Sequence, residues 1–340
     1  MKLTQSRCSR RETRRLDRKD VIMSDNVMTR SRHSTERSGW QKRFVAGVKR
    51  SWPWYILMLP AIVAFAIFCY WPMYGILMAF VDYSPTKGIL GSEWVGLEYF
   101  KRFLNYPDFC VMIRNTLRIT LYSLATFPCS IIFALILNEI SNLKFKKTVQ
   151  MVTYAPHFLS EVVLCSLVLL FLDRSVGPIN NIIEALGGTR VDFISNPDYF
   201  ASIYVWSGVW QGLGWGSILY MSALSSISPE LVEAAKIDGA GRFRIIWNVN
   251  IPGILPTIII TFIMSTGGLL SVGYSKIYLL QNDLNRSASN VLATYTYEIG
   301  LLGGQYSYST AIGLFNTLCN IAILLIVNAV VKKVSDVGIF

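Results

Sequence analysis

Apolar residues gather in six stretches, near residues 55–80, 115–138, 149–172, 200–223, 253–275 and 308–331. Each reaches the roughly 20 residues that a helix needs to cross the hydrocarbon core of a bilayer. None alternates apolar and polar residues with the period of two expected of a membrane barrel strand. The pattern therefore predicts an all-α integral membrane protein with six transmembrane helices. Pro60 and Pro72 remove backbone donors from the first and predict a kink. The short basic turn "NLKFKKT" makes the second and third spans antiparallel neighbours. Between spans, "SEWVGLEYFKRFL" reads as a short helix lying at the interface or as an ordinary loop helix. "GPINNIIEALGG" reads as an amphipathic helix bounded by glycines.

The segment between the fourth and fifth stretches breaks this pattern. Ser228 can cap a helix, Pro229 suits its first position, and Glu230 and Glu233 complement the positive end of the helix dipole. A helix of about two turns starting at 229 follows. "DGAG" at 238–241 supplies the break, since glycine tolerates left-handed backbone. A second helical segment then puts Phe243, Ile246 and Trp247 on one side, before Pro252 and Pro256 open the fifth span. Helices this short are marginal in water, so the segment calls for a docking surface outside the membrane.

The chain's 340 residues are 52% hydrophobic and 16% charged, far more apolar than one soluble core requires. Residues 1–53 carry 15 Lys and Arg against 5 Asp and Glu, most of the net charge of +11. This stretch reads as a disordered basic tail that holds the N-terminus in the cytoplasm, and residues 54–340 as the transmembrane domain. Six crossings bring the C-terminus to the same side. Arg10-Arg11, Arg14-Arg15 and Cys8 are no export signal, because no apolar core follows until Trp54. With no folded reader motif, the tail gives no ground for a nucleic-acid partner; its expected neighbour is membrane lipid.

Candidate chemistry is sparse. The six cysteines are scattered without a CxxC and there are two histidines, so no metal site is expected. HExxH, GxSxG and a complete phosphate loop are missing, so the chain is expected neither to be an enzyme nor to bind a cofactor itself. Tyr154, His157 and Glu161 have the i, i+3, i+7 spacing that places them on one face of a continuous helix. A carboxylate at mid-membrane costs about 2.5–3.5 kcal/mol on insertion scales, so Glu161 should face the interior, an aqueous path or a partner. Tyr154, His157 and Glu161 read either as part of a substrate path or as packing around a buried structural group. Gly208, Gly212 and Gly216 fall four apart and predict a smooth stripe for helix packing. Beside them, Trp206, Trp210 and Gln211 could meet a sugar face, or simply pack.

"EAAKIDGAGRFRIIWNVNIP" resembles the EAA motif of permease subunits in binding-protein-dependent ABC importers. Glu233, Ala234, Ala235, Gly239, Val249 and Pro252 match it, with Ile251 where leucine is frequent. "YWPMYGILMAFVDYSPTKGI", "WVGLEYF", "APHFLS", "YLLQN" and "GGQYSYSTAIGLFN" resemble the polysaccharide and oligosaccharide branch related to maltose and alginate importers, over about 52–340. The extended basic tail departs from that family. The resemblance implies a permease subunit in the cell membrane, paired with a second permease subunit. Two cytoplasmic ATPase subunits would bind ATP and Mg, and an extracellular solute-binding protein would deliver carbohydrate. It further implies that Glu233, Ala234, Ala235, Asp238, Gly239, Ala240, Arg242 and Pro252 form the ATPase-coupling segment. The rival readings are a secondary transporter of a small polar solute, an ABC permease for another solute, and a membrane-embedded enzyme. The first leaves the 228–252 segment unexplained, and the last has too few catalytic groups.

Overall fold

The computed structural model describes residues 51–334. Most of the basic tail over 1–53, with its expected disorder and location, lies outside them, as does the C-terminal end. Among the described residues the chain is helical apart from one two-stranded antiparallel ribbon, which pairs Val81 with Trp94 and Asp82 with Glu93. The chain divides into two units, residues 1–74 and 75–340. That division falls inside the first apolar helix.

Among the described residues, four helices are long and apolar enough to cross a membrane: Ser51–Phe80, Phe109–Glu139, Arg242–Thr266 and Tyr306–Lys333. A fifth candidate is the pair Leu143–Phe158 and Glu161–Leu172, bent by 104° at its break. The helix Pro197–Ser225 is 29 residues long, but its Gly, Ser, Trp and Tyr residues dilute its apolar character and it is not among the four. Prolines shape two of these helices. The π-helical turns Ala66–Tyr70 and Ile246–Asn250 lie just ahead of Pro72 and Pro252, where the missing N–H interrupts the α-helical ladder. The second span is broken at Thr126–Phe127, and Pro128 begins its second half.

The 104° bend corrects the sequence reading of residues 149–172 as one continuous helix. Pro156 sits in a 3-10 turn over Ala155–Phe158, and extended Ser160 caps the next helix by accepting from the Val163 N–H at 3.4 Å. Tyr154, His157 and Glu161 therefore do not share a helical face; the first two precede the break and Glu161 opens the helix beyond it. The two short helices outside the spans do form, as Glu98–Leu104 and Pro178–Ala185. Asn180 holds the loop around the second, donating to the Asp173 and Val191 carbonyls and accepting from the Val191 N–H.

Among the described residues of the second unit, three apolar clusters bind the helices. One joins Ile119, Cys165, Phe200 and Ile277; a second joins Phe103, Met112, Leu292 and Tyr308; a third joins Ile131, Leu135, Tyr220 and Ile254. Pro197–Ser225 runs through the first and third and so provides the wall on which the site is built.

Candidate functional site

A cavity of about 730 Å³ lies against one face of Pro197–Ser225. Tyr204, Gly208, Gly212, Gly216 and Tyr220, spaced four apart, all line it. Each i, i+4 step turns the stripe by only about 40°, so it winds slowly along the helix, and the missing side chains of the glycines leave space between the two tyrosines. Opposite stand Thr120, Ser123, Thr126 and Ser130 of the broken second span. Thr261, Ser265, Ser271 and Lys276 complete the polar lining. The volume falls in the range of small-molecule sites, and the hydroxyl-rich wall suits a polyhydroxylated ligand.

The three glycines predicted to pack helices behave differently from one another. A Cβ on Gly212 would meet nothing within 4 Å, whereas one on Gly216 would stand 2.8 Å from the Ser130 Oγ. One on Gly208 would stand 3.3 Å from the Lys276 Nζ. The tightest helix contact belongs to Gly214, which the four-residue spacing passes over. A Cβ there would lie 2.3 Å from the Thr153 carbonyl oxygen and 2.8 Å from the Tyr154 ring.

The other expected path residues, Tyr154, His157, Glu161, Trp206, Trp210 and Gln211, are not part of the cavity lining. His157 stacks on Trp215 with ring centroids 4.4 Å apart, and Trp215 lines the cavity. Tyr154 packs at Gly214. Gln211 donates to the Leu159 carbonyl at 3.1 Å, satisfying backbone exposed by the break in the bent pair. Trp206 donates from its indole N–H to the Tyr122 hydroxyl at 2.9 Å, and Trp210 is exposed. Glu161 is exposed too, but its charge acts on Lys276.

Lys276 is the group that sequence reasoning missed. It sits on the short helix Tyr274–Leu280 and is only 6% exposed. Its ammonium donates to the Tyr204 carbonyl at 2.9 Å and lies 4.7 Å from the centre of the Tyr204 ring. Nothing in the linear pattern marks it, because it follows the fifth apolar stretch in an apparent loop.

The polar segment forms as its caps predict. Ser228 accepts from the Glu230 N–H at 3.3 Å, Pro229 takes the first turn, and the helix runs Pro229–Ile237. Its end is a Schellman motif: the Ala240 N–H donates to the Ala235 carbonyl at 2.9 Å and the Gly239 N–H to the Lys236 carbonyl at 3.0 Å. The motif requires positive φ at Gly239, and the observed value is +78°. Asp238 is the C-cap and Arg242 starts the next helix. Glu233, Ala234, Asp238 and Arg242 are exposed, and Ala235 and Ala240 are half-buried. Ile237 and Phe243 are 87% and 90% exposed, an unusual display of large apolar side chains beside charges.

Residues 112–336 match the family described as the binding-protein-dependent transport system inner membrane component. Protein LplB of Bacillus subtilis is 41% identical over 298 residues, 87% of this chain and 94% of the relative. The polygalacturonan/rhamnogalacturonan transport system permease protein YteP of the same organism is 41% identical over 287 residues, covering 84% and 89%. A chain of a bacterial alginate ABC transporter, crystallised in complex with an alginate pentasaccharide-bound periplasmic protein, superposes with a TM-score of 0.79 at 36% identity. That match covers 86% of this chain and 98% of the other. A second crystal structure, of a bacterial ABC transporter that imports the acidic polysaccharide alginate, gives the same TM-score and identity. The chain belongs to the family of binding-protein-dependent transport system inner membrane components, membrane-embedded permease subunits rather than enzymes.

Proposed function

We propose that this chain is one permease subunit of an ATP-driven importer of oligosaccharides or polysaccharide fragments. The observation that carries the reading is the projecting helix Pro229–Ile237, capped at both ends and flanked by the exposed side chains of Ile237 and Phe243. A capped helix transmits displacement better than a flexible loop, and its apolar flank needs a covering surface. Glu233 and Asp238 would face basic groups of a cytoplasmic ATPase subunit, Ala234 and Ala235 would permit close approach, and Gly239 would hold the turn. ATP and Mg would be bound and used by the two ATPase subunits. Carbohydrate as cargo is supported by the hydroxyl-lined cavity and by the transport names of the relatives, two of which concern acidic polysaccharides.

In this reading the membrane is crossed six times, with the bent pair as the third crossing and Pro197–Ser225 as the fourth. Both termini are then cytoplasmic, on the side of the coupling helix. The cavity is one half of the path, completed by a second permease subunit, and an extracellular binding protein delivers the sugar. The stack of His157 on Trp215, together with Glu161, flanks that path. Cysteine cross-linking tests the docking: Ala235→Cys and Ala240→Cys should each join to an ATPase subunit in the assembled complex. Failure of both in a complex that hydrolyses ATP would refute the proposed contact.

A further inference from the structure

Lys276 presents an ammonium with spare donor capacity in the cavity wall. An ammonium has three N–H donors, and one is used on the Tyr204 carbonyl at 2.9 Å. The Tyr204 ring supports the charge from 4.7 Å. Among the described residues no carboxylate oxygen lies within 4.0 Å of it, unlike the guanidinium groups of Arg190 and Arg286, which pair with Glu184 and Glu298. Glu161 acts on it only from beyond that distance. A side chain that is 6% exposed and charged has lost most of its water, so an incoming anion gains a contact that water no longer supplies. Gly208 leaves the space that the ammonium occupies, since a Cβ there would come within 3.3 Å of it.

We propose that Lys276 is the anion-recognising group of this cavity and takes the carboxylate of a uronic acid unit in the transported oligosaccharide. The inference rests on the carbohydrate reading above and deepens it to an acidic sugar. A single cation set among hydroxyls such as those of Thr120, Ser123 and Ser271 matches a ligand with one carboxylate and several hydroxyls per unit. A purely structural lysine would tie Tyr274–Leu280 to Pro197–Ser225 and show no preference for charged sugar.

The test uses the assembled complex in nanodiscs, without the binding protein, and measures weak binding of trigalacturonate and of its methyl ester at neutral pH. The ester keeps the shape and removes the charge. Wild type should bind the acid about tenfold more tightly, the worth of one charge-assisted hydrogen bond. Lys276→Met should abolish that preference and Lys276→Arg should keep most of it. If Lys276→Met does not assemble, Gly208→Ala, which presses a methyl against the ammonium, should lower the ratio. Equal binding of acid and ester by wild type, or an unchanged ratio in Lys276→Met or Gly208→Ala, would overturn the role of the lysine and leave the carbohydrate reading standing. If neither sugar binds, the role of the lysine falls, and if no oligosaccharide is taken up with ATP either, the carbohydrate reading falls with it.

Discussion

Four glycines of one helix show how far residue types determine geometry. The four-residue spacing of Gly208, Gly212 and Gly216 was legible in the sequence, but which of them would face space and which a neighbour was not. Gly214 lies off that stripe and makes the closest backbone approach, because its position depends on where Thr153 arrives from another helix. Gly214→Ala should lower the unfolding temperature of the purified subunit, by an overpacking cost of about 1–3 kcal/mol. Gly212→Ala should leave it unchanged or raise it, with a helix-propensity gain of up to about 1 kcal/mol, while narrowing the cavity. A thermal-unfolding comparison in one detergent checks both. Glu161 and His157 lie on opposite sides of a break, one acting on Lys276 and the other stacked behind the cavity. Glu161→Gln and His157→Ala should each assemble normally yet change the rate of uptake or of substrate-stimulated ATP hydrolysis. Wild-type kinetics in both would assign the two residues to packing alone.

At the scale of elements, local signals were read well where chain neighbours supply the physics. Ser228, Pro229 and Gly239 placed the ends of the helix Pro229–Ile237 because capping and positive φ are settled within a few residues. Pro60 and Pro72 pointed to irregularity in the first span, and a π turn is found before Pro72. The bent pair was missed because the apolar run across residues 149–172 masks two local stops, Pro156 and the capping Ser160. Gln211, read as a side chain that could meet a sugar, instead satisfies that break across the fold. The Schellman end has a measurable consequence. Gly239→Ala must hold an alanine near φ +78°, at a cost of about 1–2 kcal/mol, and should reduce coupled ATP hydrolysis without removing the subunit from the membrane. Gly239→Pro fixes φ near −65°, which the motif cannot accept, and should abolish transport. Glu233→Lys should do the same by reversing the charge on the face proposed to dock. Membrane abundance measured beside ATPase activity separates lost coupling from lost folding, and normal uptake in both Gly239→Pro and Glu233→Lys would rule out the coupling role.

For the whole molecule, apolar runs identified a helical membrane protein, and four of them appear as helices that meet the length and hydropathy of a span. The rest was less legible because Pro197–Ser225 is enriched in glycine and aromatic residues that build a cavity wall, which weakens it as a span by hydropathy alone. Lys276 shows the same limit, since its significance arises only when a loop folds back onto that wall. The central claim is that this chain is half of a sugar pathway driven by partner ATPases. ATP-dependent uptake of labelled oligosaccharide into proteoliposomes tests it most directly, using complexes with and without this chain, its partner permease, the ATPases and the binding protein. The account predicts uptake only in the complete complex with ATP, and none when this chain carries Gly239→Pro. Uptake by this chain alone, or uptake that persists without ATP, would contradict it.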